Sequence, residues 1–477
     1  MGKKKQNIEI SFVDEPASED VTGSMLYIET PKHQIIIDAG LHQTNDRYED
    51  FLVNNRKFRE FKPKNIDLMF ITHNHADHAL LAPKLFKDGC RAKVIVPTQT
   101  KNVLEIMARD CAEINERDVL MINSQHDKDY QPLYGMAEVD LLLSHTTEYQ
   151  PLVKHVIDDE ISFELYPSGH LLGGCQILLY ITIGSITKKI LITGDLGNRL
   201  IDNKFVGHLV PVPCADIVIG ESTYGDRPDI KTNMKDRNTD RRKLKAVIDT
   251  QVCLMHGRVV IPTFAQSRAQ QLVYEIYTLY KDDPDFNYKV YVDSPLSIEV
   301  FLSYAEDLDD EERSILFDLL KWKNLVFVKE PEQSKALVAS SEPAIILSTS
   351  GMCQVGRVRH HLKRLVGDPN ATVLFVGFST PGSLASILKD PKRDSITIDG
   401  KEYKIRCSSY SLKSFSGHMP FPQLVDYYSS INCQKIILHH GSTSAKLGMK
   451  AALEKRLEEE CKSTRVIAAN SSLIVRI

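Results

Sequence analysis

The feature that most limits the fold is a set of short, uninterrupted apolar runs in the middle of the chain. They read "GRVVIPTF" at 257–264, "YKVYVD" at 288–293, "NLVFVKE" at 324–330, "PAIILSTSG" at 343–351 and "TVLFVGF" at 372–378. Stretches with helical spacing, such as "RAQQLVYEIYTLY" at 268–280, separate them. A strand that is apolar on both faces must be covered on both sides, and alternation with helices predicts a parallel sheet. An α/β domain is therefore expected over 225–395.

The flanking thirds have a different texture. Before 225, "HQIIIDAG", "NIDLMFITH" and "ISFELYPSGH" read as strands, and "QILLYITIGSITKKILITGD" reads as a hairpin turning at Gly184 and Ser185. After 395 comes "SITIDGKEYKIRC", a strand pair turning at Asp399-Gly400, then "KIILHHG", a long helix and "STRVIAAN". The tail matches the first third better than the middle, and no repeat or Pro/Gly/Ser linker separates the parts. The expected layout is one domain built from 1–224 and 396–477, with 225–395 inserted into it.

Composition excludes several classes. The net charge of −4 gives no general support to nucleic-acid binding, so such a role must rest on local patches. Nine cysteines, an odd number with no C-x-x-C pair, suggest reduced thiols in a cytoplasmic protein. No apolar run approaches the roughly 18 residues that span a bilayer, so no membrane association is expected. The basic start, "MGKKKQNIEISF", lacks the apolar core of a signal peptide.

Chemistry concentrates in "ITHNHADHALL" at 71–81, where a chain with 16 histidines places three within six residues. His73 and His75 are two apart at the end of an apolar run, so a persisting strand would point both to one face. Asp77 and His78 follow in the turn before a helical stretch. Imidazole nitrogen and carboxylate oxygen are preferred ligands of zinc and similar ions. Two further candidates each follow an apolar strand: His170 in "YPSGHLLGG" and Asp195 in "LITGDLG".

H-x-H-x-D-H followed by these two motifs, with "IIIDAG" (Asp38, Gly40) before them, resembles the metallo-β-lactamase superfamily. Downstream, "IGESTYGDR" with Glu221, "VVIPTFAQSRAQQL", "STSGM", "SFSGHMPF" with His418 and "IILHHGS" with His439 and His440 resemble its β-CASP group. The similarity runs through nearly the whole chain, towards bacterial and archaeal RNA-processing nucleases and the pre-mRNA 3′-end endonuclease subunit. It implies an αββα metallo-β-lactamase sandwich with an inserted β-CASP α/β domain. It also implies two Zn²⁺ ions, with Mn²⁺ an open alternative. His73, His75 and His170 would hold one, Asp77, His78 and His440 the other, and Asp195 would bridge them. His440 is preferred to His439 because the family's histidine directly precedes glycine, here Gly441. Asp38 would support a ligand histidine from behind.

The same resemblance implies a ribonuclease, endo- or 5′-exonucleolytic, acting on single-stranded RNA in processing or decay. Two metals about 3.5–4 Å apart would bridge a hydroxide and neutralise phosphate charge. Asp77 belongs to that hydroxide-generating set, His418 would protonate the leaving oxygen, and Glu221 would orient His418. Ser348, Ser350 and Gly351 offer hydroxyls and backbone N–H groups to phosphate. Arg357 and Arg359, in the basic stretch 356–364, and a second basic stretch at 231–245, are candidate grips on the polyanion. Phe264 and Tyr224 are candidates for stacking a base. The chain departs from the family pattern at Met419-Pro420, after His418, and at Ser442, after Gly441. A small-molecule hydrolase would share H-x-H-x-D-H but lack the insertion with Glu221 and His418. A non-catalytic subunit of a processing complex would have lost metal ligands, and none is lost here. Monomer and homodimer both remain open.

Overall fold

The computed structural model describes residues 7–13, 22–44, 46–201, 203–228, 230, 233–377, 379–470 and 472–477. The chain divides into two units, one comprising Met1–Arg199, Val206–Lys231 and His418–Ile477, the other Leu200–Phe205 and Thr232–Gly417.

The first unit holds two seven-stranded sheets. One runs in the order Ile474–Arg476, Glu9–Phe12, Leu26–Glu29, Gln34–Ile37, Leu68–Phe70, Lys93–Pro97, Thr146–Tyr149. The other runs Arg465–Ala468, Lys435–His439, Ile217–Glu221, Ile186–Ile192, Cys175–Ile183, Ile161–Pro167, His155–Val156. Ile28, Ile37 and Phe70 of the first sheet bury against Phe163, Ile177 and Ile219 of the second in one apolar layer. Outside the first sheet pack helices Lys101–His126 and Met136–His145, and outside the second Phe421–Ser430 and Thr443–Glu459. This is the αββα sandwich. Near-continuous burial along the central strands explains it, since each sheet has one apolar face for its partner sheet and one for its helices. The hairpin between Cys175–Ile183 and Ile186–Ile192 turns at Gly184, whose φ is +62°.

Every strand pairing in the six-stranded sheet of the second unit is parallel, in the order Leu325–Phe327, Lys289–Asp293, Ala344–Ser348, Arg258–Pro262, Ala371–Val376, Ser408–Leu412. The boundary drawn at 396 from sequence differs from the structural division. Ser408–Leu412 pairs with Ala371–Val376, so the segment up to Gly417 belongs with the inserted unit. The strand pair at Asp399-Gly400 is present, and both turn residues have positive φ, as a tight hairpin with this dipeptide requires.

Among the described residues no helix is long and apolar enough to cross a membrane. Residues 1–6, which include the basic start, lie outside the described residues.

Candidate metal centre

The loops that carry the donors leave the two sheets at neighbouring strand ends. The strand Leu68–Phe70 stops three residues before His73, and His75 caps the short helix Ala76–Ala79. The pairing of His73 with His75 therefore comes from loop geometry and not from strand alternation. Gly40 is what lets this loop sit so close. A Cβ there would stand 1.7 Å from the Asp77 carbonyl oxygen, so only glycine fits. Gly197 does the same for the other loops, since its Cβ would stand 1.7 Å from the Gly169 carbonyl oxygen.

The structure brings all seven predicted ligands together. His73, His75, His170 and Asp195 offer donor atoms that lie within 4.8 Å of one another, as do those of Asp77, His78 and His440. Asp195 stands between the sets: Oδ2 is 3.6 Å from His73 Nε2 and 3.6 Å from His170 Nε2, while Oδ1 is 3.4 Å from both His78 Nε2 and His440 Nε2. A third set joins Asp195 to Glu221 and His418.

Several donors are held from behind so that the opposite atom faces inward. Asp38 accepts the Thr72 N–H at 2.7 Å and its hydroxyl at 2.8 Å, and pairs with His78 Nδ1 at 2.7 Å. Thr72 Oγ1 lies 3.1 Å from His73 Nδ1. His440 has a positive φ of +47° just beyond the strand Lys435–His439. That turn aims it inward, to 3.3 Å from His78 Nε2, whereas His439 faces Ser24 Oγ at 3.1 Å.

The fit to a divalent cation rests on orphaned atoms. His73 Nε2 and Asp195 Oδ1 are buried with no hydrogen-bond partner, a costly arrangement unless an ion occupies the space they face. Electrostatics agree. Burial, reinforced by His78, holds His73 well below the usual imidazole range, and burial carries His75 down to about 4. His440 is likewise pushed well below that range by burial. Neutral imidazoles are the ligating form. Burial opposes charge on His78 too, but Asp195 and Asp38 outweigh it and raise that ring. Burial also opposes charge on Asp195, yet His78, His440 and His418 hold its carboxyl well below the ordinary value.

His418 Nδ1 lies 3.7 Å from Asp195 Oδ2 and 3.5 Å from Glu221 Oε2. Burial works against its charge, but Asp195, Glu221 and Asp77 lift its pKa to about 8. Glu221 ends the strand Ile217–Glu221, and its Oε1 accepts the Leu196 N–H at 2.6 Å. The Tyr428 hydroxyl donates to the Glu221 carbonyl at 2.8 Å.

Several predicted substrate contacts are committed within the fold. Ser348 is fully buried and donates to the Asp293 carbonyl at 2.9 Å. Arg357 pairs with Asp293 at 2.9 Å and donates to the Val328 and Lys329 carbonyls. Arg359 and Lys363 both pair with Asp399. In the stretch 231–245, Lys231 lies outside the described residues, while Arg237 and Arg241 both pair with Glu275, and Arg237 stacks on Phe415. Tyr224 is 4% exposed against the His418 ring, too buried to receive a base. Ser350 and Gly351 are half-buried, and the Phe264 ring beside Gly351 is 46% exposed. Thr72, Ser24 and Tyr428 escaped the sequence reading. Only Thr72, inside "ITHNH", carried a positional signal.

Three families match the chain in order: the metallo-β-lactamase superfamily over residues 19–245, the β-CASP domain over 269–388, and the Zn-dependent metallo-hydrolase RNA specificity domain over 402–463. The chain belongs to the β-CASP group of the metallo-β-lactamase superfamily, a family of metal-dependent hydrolases. It is 30% identical to a ribonuclease of Thermus thermophilus over 452 residues, covering 93% of this chain and 96% of that protein. It is 27% identical over 468 residues to the transcription termination factor FttA of Methanocaldococcus jannaschii, covering 95% and 70%. An RNase J-like protein of the same organism is 27% identical over 445 residues, covering 91% and 93%. A crystal structure of a protein of unknown function from Enterococcus faecalis V583 shares the fold, with a TM-score of 0.51 at 11% identity over 99% of this chain and 100% of that one.

Proposed function

We propose that the protein is a zinc-dependent ribonuclease that hydrolyses RNA phosphodiester bonds, endonucleolytically or from the 5′ end, in RNA processing or decay. The observation that carries this reading is Asp195, whose two oxygens face two separate donor sets while His418 and Glu221 stand beside it. His73, His75, His170 and Asp195 would hold one divalent ion and Asp77, His78 and His440 a second, and such ions would supply an activated water and charge neutralisation at phosphate. The residues do the rest. Asp38 and Thr72 hold the Nδ1 sides of His78 and His73, so that their Nε2 atoms face Asp195 and the space an ion would occupy. As the phosphorus–O3′ bond breaks, the departing oxygen takes a proton from His418. Glu221 and Asp195 favour the protonated ring before transfer. Ser350, Gly351 and the exposed Phe264 ring fit a short single-stranded segment, Phe264 by stacking. Nine free thiols support a reducing compartment, the cytoplasm.

The test is incubation of the purified protein with 5′-monophosphate and 5′-triphosphate RNAs, followed by product mapping and metal analysis. Cleavage with two bound ions per chain is expected, and His73→Ala should abolish it. Internal cuts indifferent to the 5′ end would define an endonuclease. Turnover of thioesters or lactones with RNA left intact would overturn the reading.

A further inference from the structure

The basic stretch 356–364 divides at its end. Arg357, Arg359 and Lys363 are paired with carboxylates, whereas Arg364 is exposed and has no ion pair among the described residues. Arg364 lines an open pocket of about 450 Å³ together with Lys404, Arg406 and Tyr403, walled by Gly367 and Pro369. Lys404 and Arg406 are likewise exposed and, among the described residues, without an ion pair. The pocket's one carboxylate, Asp368, is turned to its own loop and accepts the Asn370 N–H at 2.8 Å.

Two segments distant in sequence build this pocket. Arg364 ends the helix Val358–Leu365, and Lys404 ends the hairpin strand Lys401–Lys404. Backbone bonds clamp them together, Arg406 N–H to the Val366 carbonyl at 2.8 Å and Cys407 N–H to the same oxygen at 3.1 Å. A cation in a last helical turn is explained by the helix dipole alone. Lys404 and Arg406 have no such explanation, and with Arg364 they give one pocket a concentration of positive charge that favours an anion. Arg258, buried at the start of its strand, adds to this. Burial, and next the charge of Arg364, pull its guanidinium down.

The pocket sits where the parallel strands Ala371–Val376 and Ser408–Leu412 begin, whereas Ser348–Gly351 lies where Ala344–Ser348 ends. A five-residue strand is about 17 Å long, so the pocket and that turn occupy opposite ends of one sheet.

We propose that Arg364, Lys404 and Arg406 form a second, non-catalytic site that binds adjacent phosphate groups, supplied by an RNA backbone or by a free polyphosphate. The RNA source rests on the ribonuclease reading; the phosphate site does not.

The test uses the full chain and two probes: inorganic tripolyphosphate, by calorimetry, and a single-stranded RNA with cleavage-resistant phosphorothioate linkages, by fluorescence anisotropy over a salt series. The triple variant Arg364→Glu/Lys404→Glu/Arg406→Glu is compared with Lys392→Glu, an exposed charge reversal outside the pocket. Lys404→Glu alone and the charge-preserving pair Arg364→Lys/Arg406→Lys guard against a folding defect. Hydrolysis of bis(p-nitrophenyl) phosphate, which carries a single phosphate and so needs no site for adjacent ones, should stay at the unmodified protein's rate. RNA binding weakened tenfold or more, with the slope of log K against log salt shallower by about 2, would identify the backbone as the source. Loss of tripolyphosphate binding alone would identify a free polyphosphate. If neither probe distinguishes the triple variant from Lys392→Glu, the site does not exist. Because the tripolyphosphate arm requires no cleavage, its result stands even if the chain proves not to cut RNA.

Discussion

Replacing Asp38 by asparagine tests whether the centre is organised from behind. The carboxylate makes three contacts: the Thr72 N–H at 2.7 Å, the Thr72 hydroxyl at 2.8 Å and His78 Nδ1 at 2.7 Å. Asp38→Asn keeps the shape and one accepting oxygen. If that oxygen stays on the Thr72 N–H, the new amide NH₂ faces His78 Nδ1. Two donors then oppose each other unless the ring moves its proton to Nε2, the atom that must ligate. Partners of this kind are worth 10–100-fold in metal affinity or activity, or about 1.4–2.7 kcal/mol. The larger loss should fall on the ion held with Asp77 and His440, because Asp38 touches His78 directly and reaches His73 only through the Thr72 hydroxyl. Competition with a chromogenic chelator on the intact protein should show that ion weakened at least tenfold and the other weakened less. Cleavage should fall in proportion at limiting metal and recover at high metal. Equal weakening of both ions, or of neither, would refute the reasoning.

Gly40→Ala should destabilise the first unit by about 3 kcal/mol, the upper end for overpacking, because a Cβ cannot share space with the Asp77 carbonyl; chemical denaturation measures it. Asp293 is a pH probe for the inserted unit. Burial opposes its charge, but hydrogen bonds from His361, Arg357 and Ser334 win and lower its pKa. A lowered carboxyl contributes stability above the unfolded value of about 3.9 that is lost as pH falls through the folded value. Thermal melts below about pH 4 should therefore show a stability loss that Asp293→Asn lacks, the variant being destabilised by about 3–5 kcal/mol at neutral pH. Phe264→Ala should leave the melting temperature unchanged and cost about 1–3 kcal/mol of RNA affinity if one base stacks there, read by anisotropy.

The sandwich, the insertion and the parallel sheet were all legible, because periodicity reports which faces are covered. The convergence of seven potential donors was legible because they cluster in short motifs that each follow an apolar strand. The fates of the basic residues were not. Arg357 is matched by Asp293, 64 positions away, and nothing local to 356–364 announces that partner. The same holds for Arg237 and Glu275, 38 apart. The segment 396–417 was misallocated for a related reason: alternation identifies a strand but not the sheet that accepts it. Tyr224 and Phe264 carry no difference in sequence, yet one is buried and the other open, because exposure depends on what packs above a ring.

The strand Lys435–His439 lies beside Ile217–Glu221, although the chain between them includes most of the inserted unit. During synthesis the second donor set therefore lacks His440 until the ribosome has passed the insertion. A nascent chain at that stage has H-x-H-x-D-H, His170 and Asp195 in hand but neither His418 nor His440. A chain released at that stage would lack one donor of the second set and the histidine beside Glu221.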